Sequence, residues 1–255
     1  MIPLLVIVFG LMIGSFLNVC IYRIPAGESI VTPRSHCTKC NHMITALENI
    51  PVLSYLFLGG KCSNCKEKIS PRYLLVEILT AILFWVTYTQ TGLSLDLVMY
   101  AIFISLIIAI TFIDFDHQII PNSLLLAALI PGIYPFLRDG LSSWTMYFVG
   151  GIGLGFFFYA IAWLGYFAFK KEAMGMGDVK YAALIGLVLG WQAGIVAIAI
   201  AFFSAAVIIL ILFVMQKTSV GQRIPFGPYM GIGAVVALFW YEPIINWYMG
   251  FILPG

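Results

Sequence analysis

Long apolar runs separated by short polar turns make up most of this chain and limit what it can fold into. Only 9% of its 255 residues are charged, and 62% are hydrophobic. In a soluble domain about a quarter of the residues are charged, whereas a helix of ~20 apolar residues crosses a lipid bilayer. The sequence therefore predicts an all-α polytopic membrane protein rather than a soluble domain with a large core.

The apolar runs predict about eight transmembrane helices. The predicted segments are 2–21, 73–91, 95–113, 123–137, 144–169, 179–191, 193–215 and 226–249. The first segment lacks the basic residues that precede the apolar run of a secretory signal, and Arg23 follows it instead. We therefore interpret this segment as a membrane anchor.

Basic residues predict the orientation, because cytoplasmic loops are enriched in Lys and Arg. If the N-terminus lies outside, Arg138 alone of the 13 basic residues falls on the outer side. The others fall in loops predicted to be cytoplasmic: Arg23, Arg34, Lys39, Lys61, Lys66, Lys68, Arg72, Lys170, Lys171, Lys180, Lys217 and Arg223. Because topology accounts for most of these charges, the net charge of +2 gives no case for nucleic-acid binding.

The long polar stretch at 23–72 carries four of the five cysteines. They form two C-x2-C pairs, Cys37 with Cys40 and Cys62 with Cys65, separated by 21 residues. Two such turns present four thiolates in a tetrahedron, as in structural zinc sites. Two disulfides are the alternative, but the loop is predicted to face the reducing cytosol, where disulfides are rare.

Four thiolates leave no open coordination position, so the predicted zinc ion is structural rather than catalytic. His36 and His42 flank the first pair, and both are left out of the ligand set because four cysteines suffice. Cys20 lies inside the first apolar run and is interpreted as a lipid-facing or packing residue without a chemical role.

Two aspartates, Asp114 and Asp178, stand where apolar segments end. A carboxylate at hydrocarbon depth is costly and is by default a functional candidate. Two carboxylates on separate segments are the usual requirement for hydrolysing a peptide bond by acid–base chemistry. The structural alternative makes Asp178 a helix N-cap after Gly175 and Gly177, and Asp114 a solvated helix end.

Asp116 competes with Asp114 for the first acidic role, but on a helix the two side chains lie about 200° apart. His117 is three residues beyond Asp114 and shares its face. Pro121 marks the start of the next helix, since proline is tolerated in a first turn. The segment 114–122 is therefore predicted to be a tight cytoplasmic turn between two spans.

Together and in this order, the motifs resemble the type IV prepilin peptidase family of type IV pilus and type II secretion systems. The resemblance covers nearly the whole chain. Besides the two cysteine pairs it rests on Gly14-Ser15-Phe16-Leu17-Asn18-Val19, Tyr22-Arg23, Pro25, Asn49-Ile50-Pro51, Ser54-Tyr55-Leu56, Arg72-Tyr73, Asp114-x-Asp-His-x-x-Ile-Pro121, Gly175-x-Gly-Asp178 and Pro225-Phe226-Gly227-Pro228.

The resemblance implies a membrane aspartic endopeptidase whose catalytic residues are Asp114 and Asp178, with Asp116 a neighbour. The implied substrates are type IV prepilins and pseudopilins, cut after a glycine that follows a basic leader. The resemblance also implies N-methylation of the new N-terminal residue with S-adenosyl-L-methionine. That activity is associated with the cysteine loop, but no glycine-rich fingerprint assigns its cofactor-binding residues.

The implied location is the bacterial cytoplasmic membrane, with the N-terminus outside and the catalytic side facing the cytoplasm. The predicted organisation is a first transmembrane helix at 1–22, a methyltransferase-associated zinc loop at 23–72 and a transmembrane aspartyl protease domain at 73–255. The sequence leaves open the pilin that is cut, the retention of methylation and the oligomeric state.

Three alternatives remain. Presenilin-type proteases also use G-x-G-D, but they pair it with Tyr-Asp and Pro-Ala-Leu, and neither occurs here. A peptidase without methylation is the second, although such chains lack the cysteine loop. The third is a non-enzymatic transporter or scaffold with a zinc loop; a transporter would carry its acids near the bilayer midplane.

Overall fold

The computed structural model describes residues 1–140, 143–170, 174–216 and 224–252. Apart from one 3-10 turn and two isolated β-bridges, the regular structure of these residues is α-helical. The helices are α1 (Ile2–Arg23), α2 (Leu53–Phe57), α3 (Pro71–Thr91), α4 (Leu95–His117), α5 (Asn122–Ala127), α6 (Leu129–Asp139), α7 (Trp144–Phe169), α8 (Met176–Val214) and α9 (Gly227–Ile252).

Six helices in the described part of the chain are long and apolar enough to cross a membrane. They are Ile2–Arg23, Pro71–Thr91, Leu95–His117, Trp144–Ala168, Met176–Val214 and Gly227–Gly250. The predicted multi-pass helical architecture is therefore confirmed, but the predicted count of eight spans is not. Orientation stays a prediction; Lys171, Lys217 and Arg223, three of the basic residues behind it, lie outside the described residues.

The predicted span at 123–137 is divided into α5 and α6, which meet at Ala128. Helices of 6 and 11 residues reach only about 9 and 17 Å, well short of the ~30 Å hydrocarbon core. Pro131 falls in the first turn of α6, where its missing N–H costs nothing. Pro131 thus fits a helix that begins at Leu129 and would not fit the middle of a continuous span, whereas Pro135 lies inside α6.

The predicted spans at 179–191 and 193–215 form a single 39-residue element, α8, interrupted at Gly190. Gly190 has φ 78° and ψ 173°, a conformation open only to glycine. A methyl group added at Gly194 would lie 3.5 Å from the Cα of Gly186, although eight residues of straight helix separate two Cα atoms by about 12 Å. The chain therefore folds back at Gly190.

The chain divides into two compact units, Met1–Ala109 and Ile110–Gly255. The predicted boundaries at 22/23 and 72/73 remain predictions. In the first unit, α1 packs closely on α3 through Gly10 and Gly14. A methyl group at Gly10 would lie 2.7 Å from the Cα of Ala81, and one at Gly14 would lie 2.6 Å from the Cα of Glu77. Such small residues allow close contact between membrane helices.

In the second unit, α7 packs on α8 through glycines. A methyl group at Gly150 would lie 2.5 Å from the carbonyl oxygen of Gly186 and 2.6 Å from the amide nitrogen of Trp191. On the other arm of α8, Gly233 of α9 lies against the carbonyl of Ala197. Helices α7 and α9 are thus held at close range to the part of α8 around the fold-back at Gly190.

Candidate functional site

Asp114 lies in the last turns of α4 and is buried, with only 4% of its surface exposed. Asp116, two residues later, is exposed, and so is His117. This is the separation that helical phase predicts. The following turn is shorter than predicted, because α4 continues to His117 and ends where Gln118 takes a left-handed conformation, with φ 55°. The amide of Gln118 then bonds the carbonyl of Asp114 at 2.9 Å.

Asp178 occupies the first turn of α8 and is partly buried. The backbone N–H of Gly175 hydrogen-bonds its carboxylate. Gly177 lies against Ile120, where an added methyl group would be 3.0 Å from the Ile120 Cβ. The glycine before Asp178 therefore permits the start of α8 to approach the segment that follows α4.

A second contact fastens the same two segments. Nζ of Lys180 donates a hydrogen bond of 2.9 Å to Oδ1 of Asn122, the first residue of α5. The two contacts bring Asp178 near Asp114, and their carboxylates are close enough for their charges to interact. The structure thus brings together the two aspartates singled out in the sequence.

Asp114 has a partner that sequence reasoning did not assign. The N–H of Gly227 donates a hydrogen bond of 2.8 Å to Oδ2 of Asp114. Gly227 is the first residue of α9, so its amide has no acceptor within its own helix and the helix dipole favours a negative charge beside it. A methyl group at this position would lie 2.7 Å from Oδ2. The motif Pro225-Phe226-Gly227-Pro228 was the available signal.

Aromatic packing positions this amide. The ring of Phe226 lies 5.2 Å from that of Phe202 on α8 and 6.0 Å from that of Phe158 on α7, measured between centroids. Phe158 is fully buried. The residue before Gly227 is therefore anchored in the helix packing of the second unit, which holds the start of α9 against Asp114.

Tyr181, one turn after Asp178 on α8, is a further residue that sequence reasoning missed. Its side chain is fully buried, and its hydroxyl has no hydrogen-bond partner among the described residues. It lies close enough to Asp114 for the carboxylate charge to act on the phenol. In sequence, Tyr181 looks like any aromatic residue of an apolar helix.

The four cysteines of the polar loop converge in the first unit, with all four Sγ atoms within 4.8 Å of one another. The Sγ atoms of Cys37 and Cys65 are 3.8 Å apart, and those of Cys40 and Cys62 are 3.9 Å apart. Zn–S bonds of about 2.3 Å in a tetrahedron require sulfur separations of about 3.8 Å. The cluster can therefore hold a metal ion, and the separations exceed the ~2.05 Å of a disulfide.

The two cysteine turns have the same backbone design. The amide of Cys37 bonds the carbonyl of His42, and the amide of Cys62 bonds that of Glu67, both at 2.9 Å. Asn41 and Lys66, each four residues after the first cysteine of its pair, have left-handed φ angles of 55° and 59°. Each pair is thus a tight knuckle that points two sulfurs to one centre.

Two thiols of this cluster have opposite pKa shifts. The backbone amides of Lys39 and Cys40 lower the pKa of the Cys37 thiol to about 6, which favours the thiolate that binds metal, whereas burial and the neighbouring thiols raise the pKa of Cys65 to about 12. The Ser63 hydroxyl and the Thr45 amide lower the pKa of Glu48 to about 2. His42 Nε2 lies 3.4 Å from Glu48 Oε2, in line with its omission from the predicted ligands.

A cavity of about 480 Å³ lies beside this cluster within the first unit. Its lining combines carboxylates, a guanidinium group and aromatic rings, among them Glu28, Glu77, Arg23, Tyr22, Tyr55 and Tyr73. Glu77 is only 8% exposed and accepts a hydrogen bond of 2.8 Å from the Val52 amide. The size lies in the usual range for small-molecule sites, about 300–1,000 Å³.

Two family models match the chain. The model described as "Type IV leader peptidase family" matches residues 101–214, and that described as "Bacterial Peptidase A24 N-terminal domain" matches residues 8–91. No solved structure matches.

Similar proteins cover nearly the full length. The chain is 36% identical to a "Prepilin leader peptidase/N-methyltransferase" of Aeromonas salmonicida over 98% of its own length and 94% of that protein. It is 33% identical to proteins of the same name from Pseudomonas aeruginosa and Legionella pneumophila. The match to the Pseudomonas aeruginosa protein covers 96% of this chain and 92% of that protein. The match to the Legionella pneumophila protein covers 97% of this chain and 94% of that protein.

Proposed function

The chain belongs to the type IV leader peptidase family, and from this membership we propose that it removes the leader peptide of prepilins and methylates the new N-terminal residue. The observation that carries the peptidase half is the meeting of Asp114 and Asp178 in one partly buried site of the second unit. The four-cysteine cluster and the neighbouring cavity of the first unit support the methyltransferase half.

We assign the peptide-bond chemistry to Asp114 and Asp178. Two carboxylates at close range share one proton, because like charges do not both persist in a poorly hydrated site. The ionised partner takes a proton from water as the water oxygen attacks the scissile carbonyl carbon. The protonated partner donates to the carbonyl oxygen as negative charge develops there. The amide of Gly227 holds the Asp114 carboxylate in place throughout.

The substrate class fits a site at the membrane surface. A basic leader is retained in the cytosol by the same charge rule that orients the loops of this chain. The following apolar segment would lie in the bilayer, which leaves the cleavage point at the interface. The proposed location is the cytoplasmic membrane of a bacterium, with type IV prepilins or pseudopilins as substrates.

The four cysteines are proposed to hold one zinc ion with a structural role. Their sulfur separations match tetrahedral zinc, and four thiolates leave no position for substrate. A loop of this size has too little buried apolar surface to be stable alone, so metal binding would supply much of its folding energy.

The cavity beside the cluster is proposed to bind S-adenosyl-L-methionine, whose sulfonium supplies the methyl group. The carboxylates of Glu28 and Glu77 are suited to its cationic groups, Arg23 to its carboxylate and a tyrosine ring to its adenine. The buried Glu77 carboxylate already uses one oxygen to hold the Val52 amide, so its position is set before any ligand arrives.

One experiment tests both halves. Purified protein in lipid vesicles is incubated with a prepilin, with and without S-adenosyl-L-methionine, and the product N-terminus is measured by mass spectrometry. Loss of the leader in both samples, with one added methyl group only when the donor is present, is the expected result. Cleavage without methylation would support the peptidase half of the proposal and contradict the methyltransferase half. An intact prepilin would overturn the proposal.

Donor binding is tested separately, without turnover. Equilibrium dialysis with S-adenosyl-L-homocysteine is compared between the natural chain and a Glu77→Gln variant, with Glu242→Gln of the second unit as the control. The Glu77 variant is expected to bind at least about tenfold more weakly, because the charge-assisted hydrogen bond from the ligand's ammonium group to the carboxylate is lost. Unchanged binding in that variant would remove the cavity from the proposal.

A further inference from the structure

Tyr181 buries a hydroxyl group that the described residues leave without a hydrogen-bond partner. The ring belongs to the helix packing and is fully buried. A phenylalanine would fill the same space without this polar group, whose burial is unfavourable when it is unpaired. Since buried polar groups in proteins are nearly always hydrogen-bonded, the hydroxyl calls for a partner that the described residues do not supply.

The position of Tyr181 indicates where that partner lies. Residues three apart on a helix share a face, so Tyr181 and Asp178 project from α8 toward the same side. The phenol also lies within reach of the charge of Asp114, which in turn interacts with Asp178. Tyr181 is therefore on the Asp178 face of α8 and within reach of the charge of Asp114, the side on which the proposed peptidase would place the reacting carbonyl group.

Chemistry limits what this hydroxyl can do. A phenol is protonated at neutral pH and can donate a hydrogen bond. The group that gains negative charge in the reaction is the oxygen of the scissile carbonyl. That oxygen is an acceptor that is absent from the free protein and present when the substrate is bound.

We propose that the hydroxyl of Tyr181 donates a hydrogen bond to the scissile carbonyl oxygen as the tetrahedral intermediate forms. In this step the water oxygen bonds to the carbonyl carbon, the carbonyl π electrons move to the oxygen, and the ionised aspartate receives the water proton. Tyr181 keeps its own proton throughout. The carbonyl oxygen thus accepts hydrogen bonds from two donors, the protonated aspartate and the Tyr181 hydroxyl. This inference rests on the proposed peptidase function.

The test compares Tyr181→Phe with the natural chain in the prepilin cleavage assay. The variant is expected to lose about 10²–10³-fold in kcat, the usual effect of removing one oxyanion donor, with KM nearly unchanged. Because the unpaired hydroxyl is removed and the ring is kept, its thermal unfolding temperature is expected to equal or exceed that of the natural chain. Lower activity together with undiminished stability is the signature of the proposed role.

Tyr147→Phe is the matched control in the same unit. The hydroxyl of Tyr147 donates to Oδ2 of Asp139 at 2.5 Å, so its removal is expected to lower the unfolding temperature and leave kcat of the folded enzyme unchanged. A second readout uses a peptide inhibitor with a hydroxyl group in place of the scissile carbonyl. Tyr181→Phe is expected to weaken this inhibitor much more than it weakens substrate binding.

Three outcomes would overturn the inference: full kcat in Tyr181→Phe, equal weakening of inhibitor and substrate, or a loss of activity that follows a loss of stability. Asp114→Asn and Asp178→Asn, assayed in parallel, test the peptidase assignment itself. If either retains full activity, the proposed dyad fails whatever Tyr181→Phe does. If both are inactive and Tyr181→Phe is fully active, only the role of Tyr181 fails.

Discussion

The backbone amide of Gly227 donates a hydrogen bond of 2.8 Å to Oδ2 of Asp114 across 113 residues of sequence. It joins the N-terminus of α9 to a buried carboxylate near the end of α4. The amide has no acceptor within its own helix, and the buried carboxylate needs a hydrogen-bond donor. The family match of the second part of the chain ends at residue 214, yet this contact makes the start of α9 part of the candidate site.

Replacing either aspartate is expected to abolish cleavage. Asp114→Asn and Asp178→Asn should each lower prepilin processing by about 10³-fold or more, because an amide can neither take a proton from water nor share one with its partner. Mass spectrometry of the product N-terminus measures the effect. Asp116→Asn, an exposed neighbour on the opposite face of α4, is the control and should retain activity.

Gly227→Ala is expected to impair the site without removing a titratable group. The added methyl group would lie 2.7 Å from Oδ2 of Asp114, so the carboxylate must move and its hydrogen bond must lengthen. We expect kcat to fall by about 10–100-fold, the scale of a misplacement of ~1 Å in an active site. Single-turnover cleavage measures this rate.

Gly153→Ala provides the comparison for Gly227→Ala. Gly153 lies on α7, and an added methyl group there meets nothing within 4 Å among the described residues. Its activity should match that of the natural chain, and its helix should gain about 0.5–1 kcal/mol of stability. Equal activity of the two alanine variants would show that the contact between Gly227 and Asp114 is dispensable.

Cysteine substitution is expected to release the metal and unfold the loop. Cys37→Ser and Cys62→Ser should each lose most of the zinc measured on purified protein, because each removes one of four thiolate ligands. Limited proteolysis should then cut within 23–72. Cys20→Ser, which changes the buried cysteine of α1, should keep one zinc ion per chain; zinc retained in Cys37→Ser would contradict the proposed site.

Alanine substitutions at two glycines with nearly the same backbone conformation distinguish backbone strain from steric crowding by neighbouring side chains. Gly190 has φ 78° and ψ 173°, and Gly140 has φ 71° and ψ −176°. An alanine at either position is strained, by about 1–3 kcal/mol. At Gly190 the methyl group would also lie 3.0 Å from Cε of Met146, whereas at Gly140 nothing among the described residues lies within 4 Å.

Gly190→Ala is therefore expected to lower the free energy of unfolding by at least about 1 kcal/mol more than Gly140→Ala, since overpacking adds to strain. Thermal unfolding in a mild detergent measures the difference. The same loss in both variants would mean that the fold-back of α8 tolerates the crowding.

Local pattern was sufficient for several features of this protein. The two C-x2-C pairs were predicted to form one cluster, and their sulfurs lie within 4.8 Å. Helical phase alone separated Asp114 from Asp116, because the direction of a side chain on a helix depends only on its position along that helix. Apolar length alone predicted a multi-pass helical architecture.

The number of spans was predicted less well. The segment at 123–137 is as apolar as a short span, but its two helices are each too short to cross. The predicted break between 179–191 and 193–215 lies next to the fold-back at Gly190. The close fit of Gly150 and Gly186 was not predicted, because a hydropathy pattern does not report contacts between helices.

The sequence by itself determined the membrane class, the cysteine cluster and the two aspartates, because these follow from composition, spacing and helical period. Only the tertiary structure decided that Gly227 holds Asp114 and that the buried hydroxyl of Tyr181 has no hydrogen-bond partner among the described residues. Both depend on packing between segments distant in the chain, where the last partner of each polar group is chosen by which helices meet and at what distance. The pair of Asp114 and Asp178 could therefore be predicted from the sequence, whereas the groups that surround it could not.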